Sequence, residues 1–233
     1  MLSMALVLTG CKTPGAEGPA GTAVPAATAA PSTPAKAGDV KSAMAELQKA
    51  KEAGQDVRTI APEVSLVTIT VRRGGTLARL GHDHVVASRT LEGYVAPKLG
   101  KVALRFELDQ MSVDEAGLRA KAGLPPPPNS DAIFATRRNM LGPVLEAQRY
   151  PWLEVQAALA PDNPSLLITD VTLHGTTRRF SVPVVIEHEH GVLRAIGQFS
   201  AKQSDFNIKP FSVLGGALAV LDDIELGFDI SAR

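Results

Sequence analysis

Sulfur, aromatic rings and unbalanced charge are all scarce in this chain, and each scarcity removes a class of protein. Cys11 is the single cysteine among 233 residues, so neither an internal disulfide nor a cysteine-built zinc centre can form. Aromatic residues make up only 4% of the chain, which leaves Val, Leu and Ile to build the core. Basic and acidic side chains number 24 each and the formal net charge is zero, so nothing in the electrostatics selects a nucleic acid as partner. No apolar stretch reaches the ~18 residues of a transmembrane helix. Nucleophile elbows, phosphate loops and Walker patterns are missing too, and catalysis is left without support from the sequence.

What is present divides into four segments. Residues 1–11 read Met-Leu-Ser-Met-Ala-Leu-Val-Leu-Thr-Gly-Cys. The Leu8-Thr9-Gly10-Cys11 end resembles a bacterial lipobox, in which small residues precede a cysteine that is lipidated before cleavage. The resemblance implies that Cys11 is the lipidation site and the membrane anchor, held by about 0.8 kcal/mol per buried methylene. No Lys or Arg precedes the apolar run and the run is short, which fits a start placed downstream of the native one. Lys12 follows the cysteine, without the Asp of a retention signal, so the expected address is the periplasmic face of the outer membrane. Residues 12–39, dominated by Pro, Ala, Gly and Thr, read as a disordered spacer. Residues 40–55 suit a short helix with Val40, Met44 and Leu47 on one side and Gly54 at its close.

Residues 56–233 form the folded domain. Val64–Arg72 is rich in β-branched residues, and further strand-like runs follow at His84–Val95 and Lys101–Gln110. The middle is helical, with Pro125-Pro126-Pro127-Pro128 ahead of a helix capped by Ser130 or Asp131 and kinked or split at Pro143. Strand signals resume at Trp152–Ala160, Leu166–Leu173, Thr177–Glu187 and Val192–Ala201, with turns at His174-Gly175 and His188–Gly191, and a last strand covers Asp222–Ser231. The expected fold is all-β: an eight-stranded antiparallel barrel with a helical excursion between strands 3 and 4, closed by pairing of the last strand with the first.

Several motifs in this order resemble the YceI-like family. Arg149-Tyr150-Pro151-Trp152-Leu153-Glu154-Val155 looks like its (K/R)YP-x-(I/L)-x-(F/V) segment. Leu173-His174-Gly175-Thr176-Thr177-Arg178 looks like its His-Gly hairpin. Gln203-Ser204-Asp205-Phe206-Asn207-Ile208 looks like R-x-D-F-G-(I/L), with Gln203 for the basic residue and Asn207 for Gly. Asp222-Asp223-Ile224-Glu225-Leu226 resembles (D/E)-x-(V/I)-x-L, and Gly81-His82-Asp83-His84 resembles a Gly-His-(N/D)-His segment found in part of the family. The resemblance spans about residues 63–231. It implies a lipocalin-like barrel that binds a polyisoprenoid or related apolar molecule, with no cofactor beyond such a bound lipid, no enzymatic activity, and a form compatible with a homodimer.

Alternation along barrel strands predicts the lumen-facing set: Val67, Ile69 and Val71; Val102, Leu104, Phe106 and Leu108; Ile224, Leu226, Phe228 and Ile230. His82 and His84, two residues apart, share one side of an extended chain and are candidates for the entrance. Their spacing also suits part of a metal site, which makes a metal-binding module or metal-dependent enzyme the alternative. His188 and His190 repeat the spacing within a polar turn. A barrel filled by its own side chains, serving a structural role in the envelope, is the remaining reading.

Overall fold

The computed structural model describes Thr33–Pro34 and residues 38–233; Cys11, the lipobox-like segment and most of the spacer lie outside these residues. The described elements are β1 (Thr33–Pro34), α1 (Val40–Glu52), β2 (Arg58–Thr59), β3 (Leu66–Gly74), β4 (His84–Ser88), β5 (Glu92–Ala96), β6 (Lys101–Glu107) and β7 (Ser112–Val113). They continue with α2 (Ala116–Lys121), α3 (Ser130–Asn139), β8 (Trp152–Ala160), β9 (Asn163–Leu173), β10 (Thr176–Glu189), β11 (Val192–Lys202), β12 (Ser212–Val213) and β13 (Leu218–Ala232). One antiparallel sheet runs in the order β2-β5-β6-β8-β9-β10-β11-β13-β3-β4-β7, with β1 on β10 and β12 on β13. It curls into a lipocalin-like barrel.

The last strand pairs with the first long one, matching Ile224 with Val71, Leu226 with Ile69 and Phe228 with Val67. The run from His84 to Val95 is not one strand but two. β4 pairs with β3, β5 pairs with β6, and β4 and β5 are not hydrogen-bonded neighbours. The chain turns a corner at Arg89-Thr90-Leu91, and Leu91 is buried there. Residues 58–61 tie the two sides of the curl. Ile60 N donates to Gly93 O (3.0 Å) in β5, Thr59 and Arg233 exchange backbone hydrogen bonds of 2.8 and 2.9 Å, and Ala61 N donates to Ser231 O (2.9 Å).

The turns of the meander follow from backbone sterics. His174 and Gly175 have φ of 51° and 71°, and His190 and Gly191 have φ of 48° and 80°. Two successive positive φ angles make the type I′ turn whose twist suits two adjacent strands. The second turn therefore sits at His190-Gly191, and His188 belongs to β10. On β11, Gly197 lies opposite Phe228. A Cβ there would sit 2.4 Å from the Phe228 ring and 2.6 Å from Pro183 O, so the glycine provides the space the ring occupies.

The helices cover the barrel. α1 begins at Asp39, whose side chain accepts from Lys41 N, and buries Val40 and Leu47; Leu47 joins Val57, Ala96 and Ala103, with Met44 and Tyr94 packed alongside. It lies on the barrel's outer face. α2 packs Leu118 against Val85 and Ala87, the outward side chains of β4. α3 is capped by Asn129, one residue before the expected Ser130, through a 2.9 Å bond from Ala132 N. Its α-geometry ends at Asn139, and Met140–Val144 continues as a π-turn containing Pro143, which has no N–H to extend the α-helical ladder.

Candidate functional site

Two cavities occupy the barrel. The upper one has a volume of about 320 Å³ and the lower one about 180 Å³. Leu153, Val171, Phe199 and Leu226 line both, so these side chains mark where the two chambers meet along one lumen. The lower chamber is enclosed by aliphatic side chains of the strands, with Phe106 and Phe228. The upper chamber extends past the strand ends to α3, the π-turn and residues 208–220, and Met140, Val144 and Leu145 form its roof. Thr169 faces the lower chamber, and its hydroxyl is buried without a hydrogen-bond partner among the described residues.

The polar part of the lumen is concentrated at the upper end, where Arg73, His82, His84, Thr136, Asn139 and Gln203 face the chamber. His84 is placed by a buried cluster. Its Nδ1 lies 2.6 Å from Asp114 Oδ2. Asp114 Oδ1 accepts from Val85 N at 3.1 Å and from the Arg119 guanidinium at 2.6 Å. Arg119 also donates to Asp83 O (2.7 Å) and Pro125 O (2.8 Å), so the proline stretch helps fix the cluster. The Asp114 side chain is 0% exposed and that of Arg119 3%. Burial opposes ionisation of Asp114, but hydrogen bonds from His84, Arg119 and the Val85 amide together outweigh it and hold the carboxyl below its ordinary range. Asp114 adopts φ of 57°, which Asp tolerates better than most side chains. Pairing of β7 with β4 through Val113 and Val86 brings it to His84.

No family model matches the sequence, and neither does any curated protein. Solved structures do match. BcnA of Burkholderia cenocepacia is 14% identical with a TM-score of 0.53, over 75% of this chain and 99% of that one. A polyisoprenoid-binding domain from Saccharophagus degradans, implicated in plant cell wall breakdown, is 10% identical with a TM-score of 0.53, over 76% of this chain and 97% of that one. The chain shares their fold. In this fold β3, β6 and β13 turn alternate side chains to the lumen. Ile69, Val71, Leu108 and Ile224 line the upper chamber, Val67, Val102, Leu104, Phe106, Phe228 and Ile230 the lower, and Leu226 both. Leu108 reaches the lumen from a 3₁₀ turn rather than from β6. The meander strands add Leu153, Val155, Val171 and Phe199, whose positions the same alternation on residues 152–201 could have supplied. Asp114 and Arg119 carry no comparable sequence signal.

The other histidines separate in space. His82 and His84 face each other at 6.2 Å between ring centroids. His188 lies at the lower chamber, while His190 is exposed in its turn. His174 binds Glu146 (3.2 Å) and Phe206 O (3.3 Å) and packs on Tyr150, an arrangement that fastens the β9–β10 turn. Asn207 has φ of 58°, a left-handed conformation that Asn tolerates better than most side chains. Among the described residues, no group of three or more His, Cys, Asp or Glu side chains converges as a metal site.

Proposed function

We propose that this chain is a YceI-like carrier or sequestering protein that holds a long apolar molecule, an isoprenoid or similar chain, inside its barrel. The observation that carries the reading is the two-chambered apolar lumen, which the barrel's own side chains do not fill, in a fold that a solved polyisoprenoid-binding domain also has. The upper chamber alone, about 320 Å³, falls in the range of ~300–1,000 Å³ common for small-molecule sites. Binding is non-directional: each methylene moved from water into such a lumen contributes about 0.8 kcal/mol, so length of tail, rather than a hydrogen-bond pattern, sets affinity. In this reading Val67, Ile69, Val71, Val102, Leu104, Phe106, Leu108, Ile224, Leu226, Phe228 and Ile230 contact the tail, and His82 and His84 stand at the entrance.

The same proposal places the protein on the periplasmic face of a bacterial envelope, tethered through lipidated Cys11, with the Pro/Ala segment as a spacer. Native mass spectrometry of the protein purified from a bacterial host tests the cargo: a retained apolar adduct is expected, and a protein that is always empty and binds no prenyl probe would overturn the reading. Metabolic labelling with a fatty-acid analogue tests the tether. Label is expected on the wild type and absent from Cys11→Ser.

A further inference from the structure

We propose that the upper chamber reads the polar head of the cargo through His84 Nε2, and that this head is an uncharged hydroxyl group, as in a long-chain alcohol or a quinol; the inference rests on the tail-binding reading above. An ionised carboxylate only accepts hydrogen bonds, and Asp114 is held in that form by Arg119 and the Val85 amide. The 2.6 Å contact therefore requires the hydrogen to sit on His84 Nδ1. Arg119 already balances the Asp114 charge at 2.6 Å, so we take the ring as neutral, which leaves the lone pair on Nε2. That atom has no partner among the described residues, and the ring lines the chamber beside Val71, Val86 and Ile224.

An acceptor fixed in apolar surroundings favours a guest that brings a donor. The hydroxyl of an alcohol would otherwise lose its water on entering, and the low local dielectric strengthens the bond it regains. The mouth does not favour an anionic head. Arg73 is the fixed cation lining the chamber, and its guanidinium is already engaged: it donates to Gly81 O at 2.7 Å, and its Nε lies 3.7 Å from Asp83 Oδ1, a carboxylate shared with Arg72 at 3.8 Å. Arg119 is spent on Asp114, Asp83 O and Pro125 O. With Arg73 held on Gly81 O and Asp83, the lining presents no cluster of cations to a phosphate.

The test compares three probes with one tail: geranylgeraniol, its methyl ether and its monophosphate, titrated calorimetrically into the whole chain. The alcohol is expected to bind about tenfold more tightly than the ether, the size of one net hydrogen bond, and the phosphate no more tightly than the ether. In His84→Leu the alcohol and ether should bind alike. Equal wild-type affinities for alcohol and ether, a preference for the phosphate, or a preference for the alcohol that survives His84→Leu would each overturn the head-group inference alone. Binding of none of the probes would overturn the tail-binding reading and this inference with it. The wild-type comparison decides the matter even if the substitution disturbs folding.

Discussion

At the scale of single residues, Asp114 concentrates more consequence than any position singled out from the sequence. It lies where an imidazole, a guanidinium and a backbone amide converge, and it is fully buried as a side chain. Replacing it with Asn keeps the shape but leaves the Arg119 charge buried without its counter-charge. Breaking such a pair costs about 3–5 kcal/mol, so Asp114→Asn should lower the urea midpoint accordingly. The pH dependence has a definite sign. The folded carboxyl titrates below its ordinary 3.8, so its contribution to stability is complete above that value. It declines as pH falls from there through the folded pKa, because the unfolded chain takes up the proton first. The stability gap between wild type and Asp114→Asn should therefore narrow on acidification below pH 3.8; a gap that widened in that range would contradict the assignment. His84 was legible as a candidate because Gly81-His82-Asp83-His84 stands out in the sequence. Asp114, thirty residues away along the chain, was one carboxylate among many, and only the pairing of two short strands gives it a role.

At the scale of elements, the short segment at residues 58–61 has an importance out of proportion to its length. Its backbone bonds reach β5 through Gly93 on one side and the end of β13 on the other, so it links two strands distant in the sheet order. Ile60 is 3% exposed at that junction. Ile60→Ala should cost about 2–5 kcal/mol in chemical denaturation, the range for deleting a buried aliphatic side chain. Nothing in the alternation of Val64–Arg72 announces this segment. Two residues of strand carry no period, and their value comes from what the curl brings beside them. The strand break at Arg89–Leu91 escaped for a related reason: both halves are individually good strand sequence, and the corner is set by which neighbours each half pairs with. The helix α3 was legible in outline, but Phe134 is 67% exposed while Met140 and Leu145 face the lumen. Ile133, Thr136 and Met140 share the inward side at ordinary helical spacing, and Phe134 falls off that stripe.

At the scale of the whole molecule, the lumen unites what the elements supply separately. Leu226 stands at the meeting of the two chambers. Leu226→Trp should divide them, lowering affinity for a long prenyl probe at least tenfold while a short probe that fits one chamber keeps its affinity; displacement of a fluorescent fatty-acid analogue measures both. Overpacking costs about 1–3 kcal/mol, so the variant should still fold, and unchanged long-probe binding would show that the tail does not pass this point. A bound guest also stabilises the wild type by mass action, about 2.7 kcal/mol at a hundredfold excess over Kd.

The sequence by itself determined the period: which strands exist in the meander, that their side chains alternate, and that Val, Leu and Ile would face one another in an antiparallel β fold. Those are local properties, since each depends on residues within a few positions of one another. Tertiary structure alone decided that the sheet curls around two chambers rather than a filled core, and that Asp114 and Arg119 lie beneath His84. It also decided that residues 58–61 tie the curl. These depend on contacts between residues far apart in the chain, and no pattern confined to one strand contains the geometry that creates them.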